Sequence, residues 1–207
     1  KKAVLARRWI FNDETGLGKS AEAILATRLL DGKSIAVVTP AIVRRAWVKQ
    51  IETWAPGATV ATHTFGAQRQ HLTKDQASEV AARGVADWQI TSYNLIDELP
   101  ARRYDCILID EAHRLKNPAS QQSNAVRALT TANPQAAVFA LTATIMPDRP
   151  CDVWNVLDTL QPGRWGWTKR PARWASWWFA NRYSNGTHNG YGWRFSGANP
   201  EYADEFR

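Results

Sequence analysis

Residues 9–25, WIFNDETGLGKSAEAIL, run from an apolar segment through a turn with two glycines into an alanine-rich segment. That order predicts a strand, a tight turn and a helix. Gly16 and Gly18 let backbone N–H groups approach an anion, and a helix starting at Lys19 aims its positive end at the same place. Lys19 supplies a cation for nucleotide β- and γ-phosphates, and the Ser20 hydroxyl suits Mg²⁺. Thr15 and Leu17 complete the loop. The common phosphate-loop pattern G-x-x-x-x-G-K-[ST] fails at its first letter, because Asp13 stands where that glycine belongs. On these residues alone, a strand-to-helix turn that binds nothing is the alternative.

The same alternation continues along the chain. Short apolar runs at 8–11, 34–39, 59–65, 87–92, 105–110 and 136–142 are separated by helical segments at 19–30, 41–54, 69–83 and 119–131. Continuous apolar strands alternating with helices predict an α/β fold, a parallel sheet covered by helices on both faces. Asp31-Gly32 ends the first helix, with Gly32 suited to the left-handed position. Trp47 and Trp54, seven residues apart, share one face of the 41–54 helix and read as core. Cys106, inside the run YDCILID, reads as a buried structural thiol.

The chain has 207 residues, 44% of them apolar, enough to bury a sizeable core. Residues 1–160 form the expected sheet domain, and 161–207 an aromatic-rich extension that holds Trp165, Trp167, Trp174, Trp177, Trp178 and Trp193. RPARWASWWFANRY (170–183) reads as an amphipathic helix and SNGTHNGYGWRFSGANP (184–200) as turns or an irregular hairpin. Trp174, Trp177 and Trp178 are expected to pack that helix on the sheet domain, with base stacking as the alternative. Two cysteines and four scattered histidines exclude a disulfide framework and predict no structural zinc. No apolar run approaches the ~20 residues of a bilayer span. No signal peptide precedes the first strand, so the chain is expected to be soluble and intracellular, cytoplasmic in a bacterial or viral source and nuclear in a eukaryotic one. Twenty-six basic against nineteen acidic residues give a net charge of +7, which suits a polyanionic partner.

Two further motifs fall at strand ends, where ligands of open parallel sheets bind. ILIDEAH (107–113) closes an apolar strand with Asp110 and Glu111. An Asp there holds Mg²⁺ and the adjacent Glu polarises a water as general base; an acidic helix N-terminus favoured by the helix dipole is the alternative. ALTATIMPDRP (140–150) brings Thr142 and Thr144 to the same edge, either as a link between a γ-phosphate and a second site or as plain capping hydroxyls.

Taken in order, these motifs resemble the first RecA-like lobe of superfamily-two helicases, specifically the Swi/Snf-type DNA translocases. DETGLGKS resembles that family's phosphate loop, in which the first Walker glycine is routinely absent. IAVVTPAIVRRAWVKQIETW (35–54), ITSYNL (90–95), DEAH (110–113) and LTAT (141–144) are similar to its successive motifs, and FANRY (179–183) with GYGWRFSGAN (190–199) to the annealing-helicase branch. The resemblance implies ATP held by Thr15, Gly16, Leu17, Gly18, Lys19 and Ser20, with Mg²⁺ on Ser20 and Asp110 and Glu111 as base. It implies coupling by His113, Thr142 and Thr144, and DNA-backbone contacts around Thr39, Pro40, Thr91 and Ser92. Arg44 and Arg45 read first as a solvated helix face. The partners implied are double-stranded or branched DNA and a second RecA-like lobe in cis, whose arginines complete the ATPase. Ser20 for Thr, Ala143 for Gly and Ile145 for Pro depart from the family pattern. Two other readings are a non-catalytic nucleic-acid- or protein-binding module on a degenerate ATPase scaffold, and an RNA helicase lobe.

Overall fold

The computed structural model describes residues 2–64, 67–71, 73, 75–77, 80, 85–144, 152–162, 179–188 and 193–202. The expectations for Trp165, Trp167, Trp174, Trp177, Trp178 and Ile145, part of the 69–83 helix and most of the 170–183 helix lie outside the described residues. The chain divides into two compact units, Lys1–Glu111 with Ala125–Ala143, and Ala112–Asn124 with Thr144–Arg207.

The first unit is built on seven strands: β1 (Arg8–Phe11), β2 (Ile35–Thr39), β3 (Val60–Thr64), β4 (Ala67–His71), β5 (Trp88–Ser92), β6 (Cys106–Asp110) and β7 (Ala137–Leu141). They lie in the order β1-β7-β6-β2-β5-β3-β4. All neighbours are parallel except β4, which pairs antiparallel with β3. Every residue of β2, β5 and β7 is buried, as a sheet covered on both faces requires. The six parallel strands match the apolar runs to within a residue or two. β4 does not, since a helix was expected from residue 69. Apart from Ala67 its residues are polar, but pairing with β3 satisfies N–H and C=O groups that an unpaired edge would leave open.

Helices among the described residues include α1 (Lys2–Ala6), α2 (Lys19–Leu29), α3 (Arg44–Trp54) and α4 (Gln121–Ala132), and residues 75–77 and 80, within the expected 69–83 helix, are helical. Ile24, Val37, Trp47, Ile51, Leu108 and Phe139 belong to one buried cluster. Phe139 meets Phe11 edge-on, with ring centroids 5.8 Å apart. Trp47 is core as expected, but Trp54, at the last position of α3, is 40% exposed. Seven-residue spacing keeps the two indoles on one side, yet the helix end overruns the surface it covers. Trp54 instead donates its indole N–H to Gln50 on its own helix, 3.1 Å away.

The end of α2 also differs in its chemistry from the expectation. Asp31, not Gly32, adopts the left-handed conformation, with φ +53°. Gly32 N–H bonds to Thr27 O and Asp31 N–H to Arg28 O, the paired bonds that close many helices. Gly32 is required for space: a Cβ there would stand 3.1 Å from Cys106 Sγ and 3.3 Å from Thr27 O. Cys106 itself is buried, and burial pushes its thiol up to about 12. Arg44, read as solvated, donates instead to the carbonyls of Ala41 and His63.

In the second unit, the turn Ala112–Lys116 packs with α5 (Trp154–Leu160), and Asn155 Nδ2 donates to Leu115 O at 2.6 Å. Val153, Trp154 and Phe179 form its small core. The segment read as turns or an irregular hairpin holds an antiparallel pair, β8 (Ser184–His188) and β9 (Trp193–Ala198), with a register shift at Ser184/Asn185. Among the described residues no helix is long and apolar enough to cross a membrane.

Candidate active site

Parallel pairing aligns the carboxyl ends of three neighbouring strands. Phe11 and Asp110 both register with Leu141, so the loop after β1, Thr142 after β7 and the acidic pair closing β6 share one edge of the sheet. β7 lies between the other two, which puts the loop strand and the acidic strand two spacings apart, roughly 10 Å.

Residues 12–18 are exposed. Gly16 and Gly18 take φ of +88° and +89°, where L side chains are strained, and a Cβ on either would meet nothing within 4 Å. Conformation rather than crowding demands glycine here. Gly18 caps α2 without any side-chain hydrogen bond, so the first-turn N–H groups have no capping side chain over them. Lys19 Nζ donates to Asp13 O at 2.7 Å and to Glu14 O at 2.8 Å. The residue that breaks the common pattern thus contributes its carbonyl, which any residue type at position 13 provides. Thr15 and Leu17 are exposed, and Lys19 and Ser20 are half-buried at the start of the helix.

At the end of β6, Asp110 Oδ2 accepts from Thr39 Oγ1 and from Trp47 Nε1, each at 2.8 Å. Its Oδ1 accepts from Glu111 N at 3.0 Å. Glu111 is half-buried with φ +54°, a conformation uncommon for a residue with a Cβ. Tyr93 Oη holds this turn, donating to Asp110 O at 2.6 Å with Glu111 O at 3.4 Å. Thr142 is buried, and its N–H donates to Phe11 O at 3.1 Å, extending the β1–β7 pairing.

The residues assigned to nucleic acid are placed unevenly. Thr39 and Thr91 are fully buried, with hydroxyls turned inward, to Asp110 and to Leu95 O at 2.7 Å. Ser92 is buried at the end of β5, and Pro40 is half-buried just beyond β2. His113 and Thr144 belong to the second unit, half-buried and exposed respectively. Sequence reasoning missed Trp47 and Tyr93 as supports of the acidic pair. The available signal was that a buried indole N–H or phenol O–H needs an acceptor.

The donor set suits a Mg²⁺–nucleotide pair. An uncapped helix N-terminus behind two left-handed glycines suits phosphate oxygens. Asp110 keeps acceptor capacity on Oδ1. Among the described residues no three His, Cys, Asp or Glu side chains gather as an all-protein metal cage, and Mg²⁺ bound with phosphates needs only one or two protein oxygens.

Comparison with known proteins gives the same frame. The SNF2-related domain matches residues 5–190. The putative ATP-dependent helicase/translocase YwqA of Bacillus subtilis is 30% identical over 166 residues, 74% of this chain and 17% of that protein. The SWI/SNF-related matrix-associated actin-dependent regulator of chromatin subfamily A-like protein 1 of Drosophila melanogaster is 26% identical over 190 residues, 89% of this chain and 22% of that one. Among solved structures, the Sulfolobus solfataricus SWI2/SNF2 ATPase core in complex with dsDNA superposes with a TM-score of 0.61 at 20% identity, over 87% of this chain and 36% of that one. The chain therefore spans about a fifth of these curated relatives.

Proposed function

The chain belongs to the SNF2-related domain family, and on that premise we propose that it is the nucleotide-binding lobe of an ATP-dependent translocase acting on double-stranded DNA. One observation carries this reading: the Gly16–Ser20 turn and the Asp110–Glu111 pair stand at the same sheet edge, one strand between them.

Gly16, Gly18 and the first N–H groups of α2 cradle the phosphates, with Thr15 and Leu17 shaping the loop. Lys19 exchanges the carbonyls of Asp13 and Glu14 for phosphate oxygens. Ser20 and Asp110 hold Mg²⁺, and Glu111 takes the proton of the attacking water. Mg²⁺-bound ATP supplies the reactive phosphoanhydride. Thr142, His113 and Thr144 link the nucleotide to nucleic-acid contact. On the DNA side, the segments at Pro40 and Ser92 leave β2 and β5 at this same edge, and the net charge of +7 favours a phosphate backbone. A second RecA-like lobe in cis brings the arginines that stabilise charge on the γ-phosphate.

In a protein carrying both lobes, duplex DNA is expected to stimulate ATP hydrolysis more than duplex RNA does. Glu111→Gln should leave nucleotide binding intact and lower the stimulated rate by about 10²–10⁴-fold. A Glu111→Gln protein with an undiminished rate would refute the assignment, and stronger stimulation by RNA would move the chain to the RNA helicases.

A further inference from the structure

Thr39 ends β2, Trp47 sits in the first turn of α3 and Asp110 ends β6, yet Thr39 Oγ1 and Trp47 Nε1 converge on one oxygen, Oδ2 of Asp110. A carboxylate oxygen offers two lone-pair sites. Oδ2 is therefore fully engaged, whereas Oδ1 receives only the N–H of Glu111. Both donors are buried, Thr39 at 0% and Trp47 at 2% exposed, so neither has water as a competing partner. Hydroxyl and indole N–H approach from separate elements, which leaves the carboxylate no rotation that preserves both bonds.

We infer that Thr39 and Trp47 are positioning residues for Asp110: they lock Oδ2 so that Oδ1 is presented to Mg²⁺. This rests on the assignment of Asp110 as the Mg²⁺-holding carboxylate. It gives the segment after β2 a role other than touching nucleic acid. Thr39 bonds to the acidic pair and Pro40, half-buried, follows it directly in the chain, so a displacement of that segment changes how the carboxylate is held. Partners of this kind, one bond behind a metal ligand, typically change metal affinity 10–100-fold when removed.

The test uses binding, not turnover. A fluorescent ADP analogue is titrated onto the chain at increasing Mg²⁺, with the melting temperature of each variant recorded. Trp47→Phe keeps an aromatic ring, though a smaller one, and loses the N–H; Thr39→Val keeps the shape and loses the hydroxyl; Thr39→Ser keeps the hydroxyl. Trp47→Phe and Thr39→Val should each raise the Mg²⁺ concentration for half-maximal effect about 10-fold, with Mg²⁺-free affinity unchanged. Thr39→Ser should restore the wild-type Mg²⁺ response. A purely structural role would lower melting temperature while leaving the Mg²⁺ response alone, and folded Trp47→Phe with that result overturns the inference even if Thr39→Val fails to fold. Wild-type chain whose nucleotide affinity ignores Mg²⁺ overturns the inference and the ATPase reading together. A wild-type response that Trp47→Phe and Thr39→Val both preserve overturns the inference alone.

Discussion

At the scale of single residues, the site is set by backbone conformations that side chains resist. Glu111 holds φ +54° because its N–H is tied to Asp110 Oδ1 and its carbonyl lies against Tyr93 Oη. A left-handed residue with a Cβ is strained by roughly 1–2 kcal/mol relative to glycine, less glycine's larger entropy loss on folding. Glu111→Gly should therefore be about 1 kcal/mol more stable in urea unfolding than Glu111→Ala, although both lose the carboxylate. Equal stability of the two would mean that the turn relaxes once the carboxylate is gone. The reverse substitution applies in the loop. Gly16→Ala and Gly18→Ala each meet open space, so only the φ near +88° opposes them. Each should destabilise by about 1 kcal/mol and weaken nucleotide binding, because relaxing φ turns the peptide N–H groups away from the phosphates. Unchanged nucleotide affinity in Gly18→Ala would show that the cradle does not depend on this conformation.

At the scale of elements, β6 and the end of α2 are joined where Gly32 meets Cys106. Burial holds the thiol protonated to about 12, against 9.0 for an ordinary thiol. The unfolded chain releases this proton first, so the stabilisation is whole below about 9 and is lost as pH rises towards 12. Stability should fall by up to about 1.4 kcal/mol per pH unit in that window on this group's account. Urea unfolding between pH 8 and pH 10.5 checks it: Cys106→Ala should start less stable and show a flatter alkaline slope, and an unaltered slope would remove the thiol as its cause. This junction also shows what was legible beforehand. Fully buried strands read as continuous apolar runs, so six strands and the burial of Cys106 could be located from residue type. Glycine at 32 was legible, but its reason was not, because the crowding comes from a strand about seventy positions away. β4 was hidden because four of its five residues are polar and only the open edge of β3 makes it a strand. In the site, the loop and DEAH were readable from spacing and order. The Thr39–Asp110–Trp47 contact was not, because it depends on which turn of α3 lies over the end of β6.

At the scale of the whole molecule, 26 basic and 19 acidic residues give the chain a net positive charge that no single motif carries. Thr39 and Thr91 turn their hydroxyls inward, so the DNA contact proposed for this lobe falls to backbone groups and to side chains around Pro40 and Ser92. Contacts of that kind grip phosphates and read no bases, and those made by cations beside them, such as the exposed Arg45, release counterions, so affinity falls with salt. For about three phosphates neutralised, the slope would be near −2.7 in log affinity against log salt, which is a loss of roughly 40-fold between 50 and 200 mM. Duplex binding measured by fluorescence anisotropy over that range should show at least a 10-fold loss and little preference among sequences. Shuffling the duplex sequence at fixed length should leave the curve in place. A salt-insensitive affinity, or strong dependence on one sequence, would mean that this lobe reads base edges and is not the backbone-tracking part of a translocase.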